Sequence, residues 1–144
     1  MSIFAAEKLS RNNFEQLCLN NTNVQADQGN YLQAAGADRN SVYMVTDHLV
    51  YWLLGGYPPT RLSTHPSNIV KAELVAAIEG PSATPVTEMR KILEQRPAFI
   101  DRPRFVWYLP DTSEAEQLLE QTLARDYAIA AAVSNRGIFR RKPD

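Results

Sequence analysis

Cysteine occurs only once among the 144 residues, at position 18. A single cysteine excludes an internal disulfide framework and a zinc site built from cysteines. The chain also lacks a basic surplus, because 15 lysines and arginines stand against 16 acidic residues. Nucleic-acid-binding domains normally carry such a surplus, so we expect no nucleic-acid partner.

Long apolar runs and standard catalytic motifs are missing as well. No stretch approaches the roughly 20 apolar residues that a membrane helix needs. Residues 1–8 lack the basic start and apolar run of a signal peptide. The sequence holds neither a glycine-rich phosphate loop nor a Gly-x-Ser-x-Gly nucleophile turn. We therefore expect no cofactor, and the motifs alone name no reaction.

The composition that is present suits one folded domain, with 44% apolar and 22% charged residues. Helical spacing over residues 1–23 predicts an N-terminal helix or arm, which the polar run Asn20–Asn23 interrupts. Residues 24–144 are predicted to form a single α/β domain. Its first helix is expected to begin near Val24 and to end at Gly36.

Strand and helix signals alternate through the rest of the chain. Strands are predicted at 41–46, 60–64 and 97–101, with another extended piece at 104–109. Helices are predicted over 47–54 and 67–78, after Thr84-Pro85, and after Ser113. A hairpin over 127–133 and 138–141, with glycine in its turn, completes the chain. We interpret this order as a small three-layer α/β sheet, mostly parallel, in which the first three strands are mutual neighbours and the antiparallel C-terminal hairpin lies at an edge.

Polar side chains follow the three predicted parallel strands. They are Asp47 and His48, then His65, then Asp101 and Arg102. Ligands of open α/β sheets usually bind beyond the carboxyl ends of the strands, so these residues are a candidate polar pocket with acid–base capacity. The pattern does not favour a metal site.

A structural interpretation of the same residues stays open. Asp47 would cap its helix, His65 and Ser67 would order a loop, and Asp101 would pair with a neighbouring arginine, Arg102 or Arg104. The aromatic residues are equally open to two interpretations, since they can stack on sugar rings or belong to the core or a partner surface. They are Tyr51, Trp52, Tyr57, Trp107 and Tyr108.

Arg61 is a further candidate, because it follows Pro58-Pro59-Thr60 and its backbone is therefore restrained. A guanidinium held in this way can bind a carboxylate or a phosphate through two parallel hydrogen bonds. The alternative is that Arg61 pairs with an internal carboxylate, such as Asp47 or Asp101, and only stabilises the fold.

An ordered set of short motifs covers about two thirds of the chain. They are Val42-Tyr-Met-Val, the run from Tyr51 to Arg61, Pro97-Ala-Phe-Ile, the stretch from Leu119 to Tyr127, and Ile138-Phe-Arg-Arg. In this order they resemble the C-terminal soluble domain of bacterial polytopic glycosyltransferases. Those enzymes use lipid-phosphate-linked sugars and are related to protein mannosyltransferases and lipid A aminoarabinose transferases.

The resemblance implies a non-catalytic domain at the extracytoplasmic, periplasmic face of a membrane, because the catalytic carboxylates of such enzymes lie in the membrane region. Its partners would be that membrane part, a lipid-linked sugar or the acceptor. One alternative is an independent small α/β enzyme or ligand-binding protein with the polar pocket described above. Another is a cytoplasmic interaction module that forms a homodimer through the edge hairpin.

Overall fold

The computed structural model describes the backbone of residues 11–144 and the side chains from Asn23 onward. Predictions for residues 1–10 lie outside the described residues. The elements are listed in chain order: α1 Arg11–Ala34, β1 Val42–Met44, α2 Leu49–Leu54, a 3-10 helix Pro66–Val70, α3 Ala72–Glu79, α4 Pro85–Glu94, β2 Phe99–Pro103, α5 Glu114–Asp126, β3 Tyr127–Val133 and β4 Arg136–Arg141.

The four strands form one mixed sheet in the order β1-β2-β4-β3. β1 and β2 are parallel neighbours, as predicted, with Val42 opposite Phe99. Both other pairs are antiparallel, so the expectation of a mostly parallel sheet is wrong. The expected three-layer arrangement is also wrong, since residues 128–130 of the outer strand β3 are exposed. The coarser α/β assignment holds.

The predicted strand at 60–64 does not form. Its residues make a turn in which the Leu62 amide donates to Thr60 Oγ1, 3.1 Å away, and the Thr60 hydroxyl donates to Glu88 at 2.6 Å. Leu62 is buried in the core. Residues 104–109 likewise lie outside the strands, although Val106 and Leu109 are buried. In both segments, loops place apolar side chains in the core, and neither segment pairs with a strand.

Several helix boundaries agree with the sequence. Thr84 and Thr87 form a reciprocal capping box with Pro85 in the first turn, and Ser113 accepts from the Glu116 amide. Gly36 adopts φ of 72° just after α1. The predicted interruption at Asn20–Asn23 is wrong, because α1 runs through it unbroken. Asparagine disfavours a helix only weakly, so a long helix tolerates it.

Three further predictions of local structure need correction. The expected helix over 67–78 is split, with a 3-10 turn before α3, and His65 instead of Ser67 is the cap residue. The sequence of 47–54 is apolar on nearly every side, which predicts a buried helix, but α2 is buried on one side only, since Trp52 is 77% exposed. The hairpin turn consists of Ser134 and Asn135, whereas Gly137 already belongs to β4.

Apolar clusters lie on both faces of the sheet. One contains Tyr43 and Ile100 with the buried faces of α3, α4 and α5. The other contains Val42, Met44 and Phe99 with Leu32 of α1 and residues of α2. Because side chains alternate along a strand, consecutive residues of β2 point to opposite faces. Asp101 therefore lies on the α1 side, and Arg102 lies on the α5 side.

Candidate functional site

An open groove of about 430 Å³ lies at the edge of the sheet where β1 and β2 end. Because β4 is antiparallel to β2, the β3–β4 turn reaches the same edge. This is the edge at which the sequence predicts a polar pocket. The lining residues are Gln25 of α1, Thr46–Leu49 after β1, Pro103, Phe105 and Trp107 after β2, and Asn135 and Arg136 of the hairpin.

Asp47 and Arg136 form a nearly buried ion pair in the groove wall. The guanidinium of Arg136 donates through Nε to Asp47 Oδ2 at 2.9 Å and through Nη2 to Oδ1 at 3.3 Å. The side chains are only 7% and 14% exposed. The expected role of Asp47 as a helix cap is not observed, because its carboxylate is turned to the hairpin and to α1.

Gln28 joins two carboxyl groups from the α1 side. Its Nε2 amide donates to Asp47 Oδ2 and to Asp101 Oδ2, both at 2.9 Å. Gln28 and Asp101 are buried, and Asp101 Oδ1 and Gln28 Oε1 have no hydrogen-bond partner among the described residues. Burial, and next the charge of Asp47, raise the pKa of Asp101 to about 8. Asp101 is therefore mostly protonated at pH 7.

His48 follows Asp47 in the sequence and is the residue just before α2. Its Nδ1–H donates to the Ser63 carbonyl at 3.0 Å, and its ring is tilted against Tyr51 with 5.3 Å between centroids. Burial lowers the pKa of His48 below its ordinary 6.5, against the opposing effect of the Ser63 carbonyl. The imidazole is therefore neutral at pH 7, with Nε2 as its acceptor atom.

Two exposed aromatic rings line the other side of the groove. Phe105 and Trp107 are each 68% exposed. The indole of Trp107 is held by edge contacts with His65 at 5.8 Å and with Tyr108 at 5.3 Å between centroids. His65 Nδ1 is engaged with Ser67, so the predicted loop-ordering role is confirmed, and its contact with Trp107 links it to the groove. Of the other aromatic candidates, Tyr51 and Tyr108 are core residues.

Arg61 and Arg102, the other two predicted site residues, do not join the groove. Arg61 is exposed and donates through Nε to Glu79 at 2.9 Å and through Nη2 to the Ile78 carbonyl. The alternative of pairing with an internal carboxylate therefore holds, because the Glu79 side chain is only 6% exposed. The partner is neither Asp47 nor Asp101, the two examples named from the sequence. Arg102 is buried on the opposite face of β2, where it pairs with Glu116 at 2.8 Å and with Glu120.

The structural interpretation of Asp101 needs the same correction. Asp101 is bonded to Gln28, not to Arg102 or Arg104. Sequence reasoning also missed Gln25, Gln28 and Arg136 as members of the site. The signal for Arg136 is its position within the predicted hairpin turn, which places it at the end of the hairpin.

Among the described residues, no group of three or more histidine, cysteine, aspartate or glutamate side chains is arranged to hold a metal ion. No helix within residues 11–144 is long and apolar enough to cross a membrane. Comparisons with protein-family models, with curated proteins and with solved structures each found no match to this chain. The groove and its chemistry are therefore the basis for a functional assignment.

Proposed function

We propose that the chain is a non-catalytic binding domain whose groove holds the sugar portion of a lipid-linked sugar or of its acceptor. The proposal also draws on the resemblance to the soluble C-terminal domain of membrane glycosyltransferases. In that setting the domain would lie at the periplasmic face of the membrane, with the membrane region of the enzyme as its partner.

The observation that carries the proposal is an exposed indole facing charged and polar side chains across one groove. Trp107 is largely exposed, yet its edge contacts with His65 and Tyr108 orient it. A pyranose ring presents C–H groups on its face and hydroxyl groups at its rim. An oriented indole packs against the face, while the exposed Asn135 side chain in the groove can bond to the hydroxyls.

The state of the two carboxyl groups favours binding over catalysis. Asp47 is engaged by Arg136 and Gln28, and Asp101 is buried with a raised pKa. A retaining glycosyl transfer needs a carboxylate that can reach the sugar as a nucleophile, and a general base must reach the proton that it removes. Neither carboxyl group is presented in this way.

We predict that substitution of Trp107 weakens sugar binding. The chain has two tryptophans, Trp52 and Trp107, so a Trp52→Phe background leaves Trp107 as the sole indole reporter. Its fluorescence is titrated with methyl glycosides and with sugar 1-phosphates. Trp107→Ala lacks the reporter, so its binding of the best ligand is followed by NMR shifts of groove amides. We expect the affinity of this variant to be at least about tenfold weaker, because the stacking surface is lost.

The matched control is Trp52→Ala, which removes an indole of similar exposure on α2 that does not line the groove. It is expected to leave the dissociation constant unchanged. Equal weakening by both substitutions, or absence of saturable binding for every sugar tested, contradicts the proposal. The chain alone is also expected to transfer no sugar from a lipid-linked donor. Turnover that Asp47→Asn abolishes would instead favour the small-enzyme alternative.

The hairpin edge supports a second proposal, a homodimer. β3 is the outer strand of the sheet, and Tyr127–Val133 contains no charged residue. Residues 128–130 and 132 are exposed. An uncharged, uncovered strand edge pairs readily with a second strand, and two copies of β3 meet without charge repulsion.

For the homodimer we predict concentration-dependent association in sedimentation velocity. Ile129→Lys, at a position that is 47% exposed, is expected to leave a monomer at all concentrations because lysine opposes lysine across the pair. Ile78→Lys changes an isoleucine of similar exposure on α3 and is expected to preserve the association. A monomeric unmodified chain at every concentration would rule the homodimer out.

A further inference from the structure

The carboxyl pair, Asp47 and Asp101, joins the described part of α1 to the sheet edge through a polar side chain. One amide nitrogen, Gln28 Nε2, bonds to both carboxyl groups at 2.9 Å. Asp47 belongs to the β1–α2 connection and Asp101 to β2, so one side chain of α1 contacts two other parts of the fold. The attachment of α1 therefore has an apolar part, through Leu32, and a polar part that depends on how these two carboxyl groups are charged.

The groups around Asp101 do not balance two negative charges. Asp47 faces it from the β1–α2 connection, Arg136 from β4, and Tyr51 from α2, while α1 contributes the uncharged Gln28. The neighbours of Asp101 in the sheet are Met44 and Ile138. Among the side chains that the structure describes, from Asn23 onward, one guanidinium between two ionised carboxylates leaves a net charge of −1 in a buried site. Buried uncompensated charge is strongly unfavourable.

The hydrogen bonds point to the same imbalance. The carboxylate of Asp47 accepts three hydrogen bonds. Arg136 donates one to each oxygen, and Gln28 donates the third to Oδ2. Asp101 has one donor, a neutral amide, on Oδ2, whereas its buried Oδ1 has no partner among the described residues. The site is thus built for one ionised and one protonated carboxyl group.

We propose that protonation of Asp101 controls the attachment of α1 to the sheet edge and thereby the closure of the groove wall. With Asp101 protonated, Gln28 holds α1 against the sheet and Gln25 of the same helix lines the groove. With Asp101 ionised, the two carboxylates repel each other around Gln28 and α1 separates from the edge. Only the effect on a bound sugar rests on the proposed function, since the helix attachment requires no ligand.

The direction of the pH dependence follows from the raised pKa of Asp101. The pKa is about 8 with α1 attached, against an ordinary value of 3.8 in water, chiefly because of burial. A carboxyl group with a raised pKa favours the attached state most strongly below its ordinary pKa. That preference declines as the pH rises between the two values, and it is lost above about pH 8.

The test is hydrogen exchange at the amides of residues 23–34 between pH 6 and pH 9, expressed as protection factors to remove the intrinsic pH dependence of exchange. One released proton predicts a loss of protection of about tenfold per pH unit up to pH 8 and a plateau above it. Asp101→Asn, which is neutral at every pH, is expected to abolish this slope. Amides of α5 report global unfolding and serve as the internal reference.

Asp47→Asn provides a second variant, should Asp101→Asn not fold. It removes the like charge that raises the pKa of Asp101, so this pKa falls and the plateau of protection is expected to begin at a lower pH. A plateau that begins at the same or a higher pH contradicts the proposal. The proposal is overturned if protection of α1 in the unmodified chain does not depend on pH, or if Asp101→Asn shows the same slope. Because no sugar is present, failure of the sugar-binding proposal leaves this result unaffected.

Discussion

Replacing Arg136 with methionine is expected to lower the free energy of unfolding by about 3 to 5 kcal/mol, the range typical when one partner of a buried ion pair is removed. Asp47 is 7% exposed and lies one amide away from a second buried carboxyl group. Without the guanidinium, its charge loses two hydrogen bonds and its counter-ion. The measurement is urea unfolding at pH 7, followed by circular dichroism.

Two controls separate the ion pair from general effects on β4. Arg140→Met changes an exposed arginine of the same strand, whose guanidinium lies 5.5 Å from the Phe99 ring centre, and it is expected to cost far less. The double variant Asp47→Asn with Arg136→Met is expected to recover part of the lost stability, because no uncompensated charge is left at Asp47. Equal losses for Arg136→Met and Arg140→Met would contradict the importance of the pair.

Arg102→Met is expected to have the second largest effect, again about 3 to 5 kcal/mol at pH 8. Arg102 and Glu116 are 6% and 5% exposed, and Glu116 Oε2 has no hydrogen-bond partner among the described residues. The loss of Arg102 leaves that carboxylate buried without its cation. Arg125→Met changes an exposed arginine of α5 and is expected to cause a much smaller loss.

The pH dependence of the Arg102→Met effect provides an internal check. Burial already raises the pKa of Glu116, while Arg102 opposes this shift. Removing Arg102 raises that pKa further, so the variant is most stable where Glu116 is protonated in both states, at acid pH, and loses stability as the pH rises. The deficit relative to the unmodified chain is therefore expected to be smaller at pH 5 than at pH 8. A constant deficit would exclude ionisation of Glu116 as its cause.

The location of the groove follows from local patterns. Strand signals at 41–46 and 97–101 predict two parallel neighbours, and parallel strands end at one edge. The residues immediately after or at the end of these strands, Asp47, His48 and Asp101, do meet there. The helix caps at Thr84 and Ser113 and the extent of β3 are equally local, because each depends on residues a few positions apart.

The partners inside the groove were not predictable in this way. Glutamine is usually exposed, and no periodic pattern distinguishes Gln28 from other polar residues of α1. Its burial arises because α1 packs beside two carboxyl groups that are 19 and 73 residues away in sequence. The contact between Arg136 and Asp47 spans 89 residues. Such pairs depend on the assembled sheet and leave no signature at either position.

The amino-acid sequence by itself determined the α/β character of the chain, its parallel first pair of strands, its edge hairpin and the sheet edge that carries the polar residues. Only the tertiary structure decided that β4 lies between β2 and β3, that residues 60–64 form a turn, and that Arg61 and Arg102 lie away from the groove. The reason is that helix caps and strand alternation depend on neighbouring residues, whereas the turn at 60–64 includes a bond from Thr60 to Glu88, 28 residues away. Strand order, burial of polar groups and ion pairing depend on which distant surfaces meet.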